Sequence, residues 1–154
     1  MDTRSSPRRI ARAAVLTLAL ATLISPLAAN TAAAANGSER ELRTYINEAR
    51  DKRGARDLGM RSFLVRAARR HSRQMASTGQ LVHSTDLASY AGSRRWNIIG
   101  ENIGYGPSVD VLHDAFMDSP PHRKNQLNRR FHHVGVGMAV GDDGRIWVTV
   151  LFLG

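Results

Sequence analysis

Two imidazoles and one carboxylate stand out as a set in this sequence. His83 lies in Leu81-Val82-His83-Ser84, Glu101 in Gly100-Glu101-Asn102-Ile103-Gly104-Tyr105-Gly106, and His122 in Pro120-Pro121-His122-Arg123. Such a trio suits a divalent metal such as zinc, with water completing the shell. It also suits general-base chemistry, because a histidine titrates near neutral pH and a carboxylate can orient it. There is no His-Glu-x-x-His motif, so the three would have to meet through the fold. The chain has no cysteine and no Gly-x-Ser-x-Gly elbow, so no nucleophile presents itself. Glycoside cleavage usually wants two carboxylates flanking the bond, and this set supplies Glu101 alone. Read in isolation, the glycine-rich stretch is a surface turn with a solvated glutamate. An acid between glycines can also point into a cleft with no bulky neighbour in the way.

The elements that would position these residues are legible to different degrees. Ser38-Glu39-Arg40-Glu41 has the form of a capping box, and Leu42, Ile46 and Ala49 follow at helical spacing. A helix is therefore expected from about Glu39 to Lys52, stopped by Gly54. A second is expected from about Arg61 to Ser77, with Phe63, Leu64, Ala67, Ala68, His71 and Met75 on one stripe and arginines opposite. On that apolar stripe His71 reads as a core histidine with a hydrogen-bond partner rather than a ligand. Gly79 ends this helix, and the His83 segment follows where the chain turns away. Thr85 to Trp96 reads as a loop with a short helical turn, and Asn97-Ile98-Ile99 as a short strand. Ser108 can cap a third helix through Val109, Leu112, Ala115 and Phe116, broken by Ser119-Pro120-Pro121. Pro121 can then open a further short helix with His122 just inside it. His133–Val140 and Arg145–Leu153, joined by Gly141-Asp142-Asp143-Gly144, read as a β-hairpin. The second run is apolar on both faces, which places it centrally in a covered sheet. Helices followed by a hairpin give an α+β domain with a layered sheet.

The first thirty-five residues do not look like part of that domain. Arg4, Arg8, Arg9 and Arg12 form a basic start, Ala13 to Ala29 is almost wholly apolar, and Ala33-Ala34-Ala35 offers small residues for cleavage. That order is expected of a secretory signal peptide spanning residues 1–35. An uncleaved anchor is the alternative, since the apolar run sits at the short edge of a membrane span. Removing the leader takes away four arginines and one aspartate, so the formal charge falls from +9 to +6. The remaining domain, residues 36–154, can bury a core without disulfides. Its positive charge is mostly arginine, spread over Arg40–Arg73, Arg94-Arg95, Arg123-Lys124 and Arg129-Arg130. No nucleic-acid motif is present, so no nucleic-acid partner is expected. An exported chain would meet anionic wall polymers or lipid headgroups, and a solvated face that aids solubility is the simplest use of the charge.

Several segments line up in order. They are Ala68-x-x-His71-Ser72-x-x-Met75, Leu81-Val82-His83-Ser84, Gly100-Glu101-Asn102-Ile103, Ser119-Pro120-x-His122-Arg123-x-Asn125-x-Leu127, Val134-Gly135-Val136-Gly137 and Trp147-Val148-Thr149. In these the chain resembles the CAP superfamily (cysteine-rich secretory proteins, antigen 5 and pathogenesis-related proteins, with sperm-coating-protein-like domains), and within it the cysteine-free bacterial branch. The resemblance implies a three-layer α-β-α sandwich around a central antiparallel sheet. It implies a cleft lined by His83, Glu101 and His122, with zinc or another divalent metal as the implied cofactor. It places the family's second acid at Ser119, where this chain has no carboxylate, while the carboxylate of Asp118 is one residue off. Pro121 stands where bacterial relatives usually have glycine. The expectation is thus an exported, extracellular or envelope-associated protein whose cleft binds a metal, an envelope component or another ligand. The alternatives are an envelope hydrolase with a cleft histidine as base, a lipid-binding module, and a polar cluster that serves only to tie helices to sheet.

Overall fold

The computed structural model describes residues 26–154; the basic start and most of the apolar run of the expected leader, residues 1–25, lie outside the described residues. The elements in chain order are α1 (Pro26–Asp51), β1 (Gly59–Met60), α2 (Ser62–Thr78), α3 (Ala88–Ala91), β2 (Ile99–Gly106), α4 (Val109–Asp118), α5 (Pro120–Leu127), β3 (His133–Val140) and β4 (Ile146–Leu153). The sheet runs in the order β1-β3-β4-β2. Its three long strands are antiparallel, as expected, and the two-residue β1 adds a parallel rung at the β3 edge. The hairpin forms where the Gly-Asp-Asp-Gly turn places it, with Gly144 at φ 77° and the Arg145 amide donating to Asp143 Oδ1. β4 is central and buried along nearly its whole length, because both faces of the sheet are covered.

The alternation of β3 and β4 sorts the core into two layers. Val134, Val136, Met138, Val148, Val150 and Phe152 pack with Leu42 and Ile46 of α1 and with Leu112 and Phe116 of α4. Leu151 and Leu153 face the other way, against Leu64, Ala67 and Ala68 of α2. On that second face β3 carries Gly135 and Gly137. A Cβ at Gly137 would lie 2.1 Å from the Arg69 amide nitrogen, and one at Gly135 would lie 2.3 Å from Leu64. The glycines thus let α2 lie directly on the sheet, where the Ser72 hydroxyl bridges the Gly137 carbonyl (2.8 Å) and Thr149 Oγ1 (2.9 Å).

Two expectations are corrected. The first helix does not begin at a capping box. It continues upstream to Pro26, so Ser38 sits inside it and has no free helix end to cap. The reason is the alanine run before residue 36, the best helix-forming composition available, which carries the helix past the point where a cap would act. Glu39 is buried and accepts from Arg69 Nε (2.7 Å) and the Met138 amide (3.2 Å), while Glu41 accepts from the Tyr45 hydroxyl (3.1 Å). The point of cleavage expected after Ala35 falls within this helix. The second correction concerns the glycine-rich stretch. It is a strand, not a turn, and Glu101 and Asn102 are both buried in it. Its glycines fall on alternate positions and therefore on one face, where a bare Cα admits Phe131, Phe116 and Leu112.

Candidate active site cleft

β2 is an edge strand of the sheet, and the candidate site is built around it. Period-two geometry sends Glu101 and Asn102 to opposite faces. Glu101 points to the α2 face and meets the segment that follows that helix. The helix ends at Gly79, whose φ of 66° is a left-handed conformation that favours glycine and turns the chain back toward β2. His83 and Ser84 then reach the carboxylate. Glu101 Oε2 accepts from His83 Nδ1 at 2.8 Å and from the Ser84 amide at 3.0 Å. Oε1 accepts from the Ser84 hydroxyl at 2.5 Å, and that hydroxyl also lies 2.9 Å from the Tyr90 hydroxyl. The Glu101 side chain is 1% exposed and that of His83 is 61% exposed. A buried anion therefore holds an exposed imidazole by its Nδ1–H, and whenever the ring is neutral this bond leaves the lone pair on Nε2.

His71 is the core histidine expected. It is buried on α2, its Nε2 lies 2.9 Å from the Val82 carbonyl, and the same nitrogen lies 3.8 Å from Glu101 Oε1. It braces the segment from below.

His122 comes from the other face. Pro120 and Pro121 occupy the first turn of α5, and His122 follows them. The Asn102 side chain donates to the His122 carbonyl at 3.0 Å. Asn125 donates from Nδ2 to the Glu101 carbonyl (3.1 Å) and to Asn102 Oδ1 (2.9 Å), so α5 is tied both to the backbone at Glu101 and to the Asn102 side chain. The His122 ring packs edge-on to Phe116, with centroids 5.1 Å apart, and has no hydrogen-bond partner among the described residues. Burial pushes its pKa down, and the neighbouring His83 charge adds to that. The two histidines thus come from opposite faces of the sheet, near enough for the charge of one to act on the other.

Further back, the fully buried Arg50 of α1 fixes the C-terminal end of α5. Its guanidinium donates to the carbonyls of Arg56 (2.7 Å), Gln126 (2.7 Å), Asn128 (3.0 Å) and Phe131 (3.3 Å). Burial lowers its pKa, but an arginine remains charged under any condition a folded protein meets.

The weaker candidates take no part in these contacts. Ser119 serves as the hinge between α4 and α5, its amide bonded to the Ala115 carbonyl and its own carbonyl accepting from the Arg123 amide. Asp118 is exposed, and its carboxylate takes no hydrogen bond among the described residues. Sequence reasoning missed Ser84, Tyr90, Asn125 and Arg50. Ser84 was within reach, since it adjoins His83. Tyr90 lies in α3, a single helical turn in a stretch whose sequence has little periodicity, and Arg50 looked like one more surface cation. Among the described residues no three His, Cys, Asp or Glu side chains are grouped so as to hold a metal ion. Two grooves, of about 470 Å³ between α1 and α4 and about 450 Å³ between α1 and α2, lie away from the histidine pair.

Comparison with known proteins agrees with this architecture. Residues 43–152 match the CAP family, described as the cysteine-rich secretory protein family. The uncharacterized protein YkwD of Bacillus subtilis (strain 168) is 32% identical over 124 residues, which is 75% of this chain. The chain spans 47% of that relative's length. Among solved structures, an extracellular protein containing a SCP domain from Bacillus anthracis str. Ames aligns with a TM-score of 0.69 at 23% identity, covering 86% of this chain and 45% of that one. An outer surface protein from Borrelia burgdorferi aligns with a TM-score of 0.69 at 18% identity, covering 76% of this chain and 92% of that one. No helix among the described residues is long and apolar enough to cross a membrane.

Proposed function

Because the chain belongs to the cysteine-rich secretory protein (CAP) family, we propose that it is an exported binding protein whose cleft takes a divalent metal such as zinc between His83 and His122. The observation that carries this reading is the bond from His83 Nδ1 to Glu101, which turns the Nε2 lone pair outward. A carboxylate behind a histidine is the usual support of a metal-ligating imidazole. His122 fits the same role, because its lowered pKa favours the neutral ring that a metal requires. Glu101 is then the orienting group rather than a ligand, since both its oxygens accept bonds from the His83–Ser84 segment. A metal held here would supply a Lewis acid with open positions for an envelope or extracellular ligand.

The test is the melting temperature of the protein with and without zinc at neutral pH. Zinc should raise it, His83→Ala and His122→Ala should each abolish the rise, and Glu101→Gln should weaken zinc affinity by about 10- to 100-fold. No response to zinc would overturn the reading and leave the cluster as a tie between helices and sheet.

The same Glu101–His83 pair favours a second reading, a hydrolase in which His83 Nε2 takes a proton from water. The Ser84 hydroxyl is engaged by Glu101 and Tyr90, which is why water rather than serine would be the nucleophile. Release of product from purified wall material, lost in the His83→Ala/His122→Ala double variant, would support it. Absence of release would dismiss it.

A further inference from the structure

The cations of this chain are not spread evenly over its fold. Three separate segments bring arginines to the end of the sheet where β3 begins and β4 finishes. Arg129 donates to the Arg53 carbonyl at 2.6 Å, and the buried Arg50 fan draws the Arg56 backbone to residues 126–131. The Arg130 carbonyl lies against Gly154, which pairs with Ile98 just beyond Arg94 and Arg95. Arg53, Arg56, Arg94, Arg95, Arg129 and Arg130 are all exposed, and none has a carboxylate within ion-pair distance among the described residues. Elsewhere Arg69 and Arg145 each have one, while Arg40, Arg66, Arg70 and Arg73 on the helical faces have none among the described residues. It is therefore the meeting of three segments at one end that sets these six apart. Asp57 is the acid within this stretch of loop, while Asp142 and Asp143 lie at the hairpin turn, the opposite end of the strands.

We propose that this arginine-rich end is a docking surface for a linear polymer of repeating phosphate groups. Planar guanidiniums match phosphate oxygens by paired hydrogen bonds, and several unpaired ones on one surface suit a ligand whose charges repeat. The surface lacks what the other polyanions would use. Among the described residues the exposed large apolar side chains, Leu81, Val82, Tyr105, Val111 and Val140, belong to other parts of the fold and give this end no apolar anchor for a bilayer. Phe63 is covered by the Arg94 guanidinium at 4.1 Å, and Trp96 packs against the α2 core, so neither offers a platform on which a nucleic-acid base can stack. What remains to be read is the charge of the chain itself.

The probe is long-chain inorganic polyphosphate, titrated onto the full chain over a series of salt concentrations. Arg56→Gln/Arg95→Gln/Arg130→Gln removes three side chains that make no hydrogen bond or ion pair among the described residues. This variant should lose at least about tenfold in affinity, with a salt dependence flatter by about three contacts. Arg40→Gln/Arg70→Gln/Arg73→Gln removes the same charge from the exposed helical faces and should lose no more than about twofold. Should the first triple variant melt early, Arg95→Glu alone, in a loop, should still weaken binding several-fold. Equal losses in the two triple variants would mean that net charge alone is sensed, and would overturn the proposal. So would failure of the unmodified chain to bind polyphosphate. Tighter binding per phosphate to phosphatidylglycerol vesicles would overturn it in favour of a membrane.

Discussion

The two histidines of the candidate site are set up in opposite ways. His83 is mostly exposed, but its Nδ1 is fixed by a buried carboxylate that also takes the amide and hydroxyl of Ser84. His122 is half-buried against Phe116, yet its ring is held by no polar partner, and only its backbone is anchored, through Asn102. One ring is oriented by hydrogen bonds, the other by packing. One position bears on the difference. The chain has serine at residue 119, where the family resemblance places a second acid, and Ser119 caps α5 three residues before His122. Without a carboxylate there, burial and the His83 charge both act to keep His122 neutral. The polar energy of the site is thus concentrated on the Glu101 side, and the His122 side contributes position.

The largest expected effect tests that asymmetry directly. Glu101→Ala strips the acceptor from the His83 ring, the Ser84 amide and the Ser84 hydroxyl at once, inside a buried setting. It should cost about 3 kcal/mol of unfolding free energy at neutral pH. His122→Ala, which breaks no hydrogen bond of the ring, should cost less than about 1 kcal/mol. Urea unfolding of both variants measures the contrast. Equal losses would mean that the two sides share the load.

How much of this was legible in the sequence depends on the range of the interaction. The hairpin, the central place of β4 and the extent of α2 are written in local period and turn chemistry, and they appear as read. The layered α-β-α arrangement and the grouping of His83, Glu101 and His122 came from the ordered segments that resemble the family, since no local pattern links residues 83, 101 and 122. Local reading failed where a distant partner decides. The glycine-rich stretch read as a turn because its glycines were taken as signs of backbone freedom, whereas Gly100 and Gly104 serve to admit Phe131 and Phe116. Ser38 read as a cap because the helix was taken to start after the leader, yet α1 continues through the alanine run. The buried role of Arg50 has no local signature, because its four acceptors lie on carbonyls up to 81 residues away.

Acidification should expose the His122 side next. Burial lowers the pKa of His122, and likewise those of His113 and His133. The folded state therefore binds protons less readily than the unfolded chain, whose histidines titrate near about 6.5. Stability is complete above that pH and falls as the pH drops from it through the lower folded values. Melting temperatures between about pH 7 and pH 5 should show this decline, and His122→Gln should make it shallower. Supplying the missing acid, Ser119→Glu, should raise the pH at which the His122 ring titrates, as followed by proton NMR, because residues three apart at a helix start face one another. An unchanged midpoint would show that the asymmetry is not set by residue 119.

The smallest effect concerns Gln126, on the same helix as His122. Its side chain is fully buried, and neither its amide nitrogen nor its oxygen finds a partner among the described residues. Its backbone carbonyl is the group the fold uses, as one of the acceptors of Arg50. The amide is therefore a desolvated polar group without return, and a side chain of similar volume with no such group should be no worse. Gln126→Met should leave stability unchanged or raise it by up to about 1 kcal/mol in urea unfolding, with the Arg50 contacts intact. A loss of more than about 1 kcal/mol would mean that the amide is satisfied in solution. In that case the His122 side has a polar network of its own, and the contrast with the Glu101 side is one of degree.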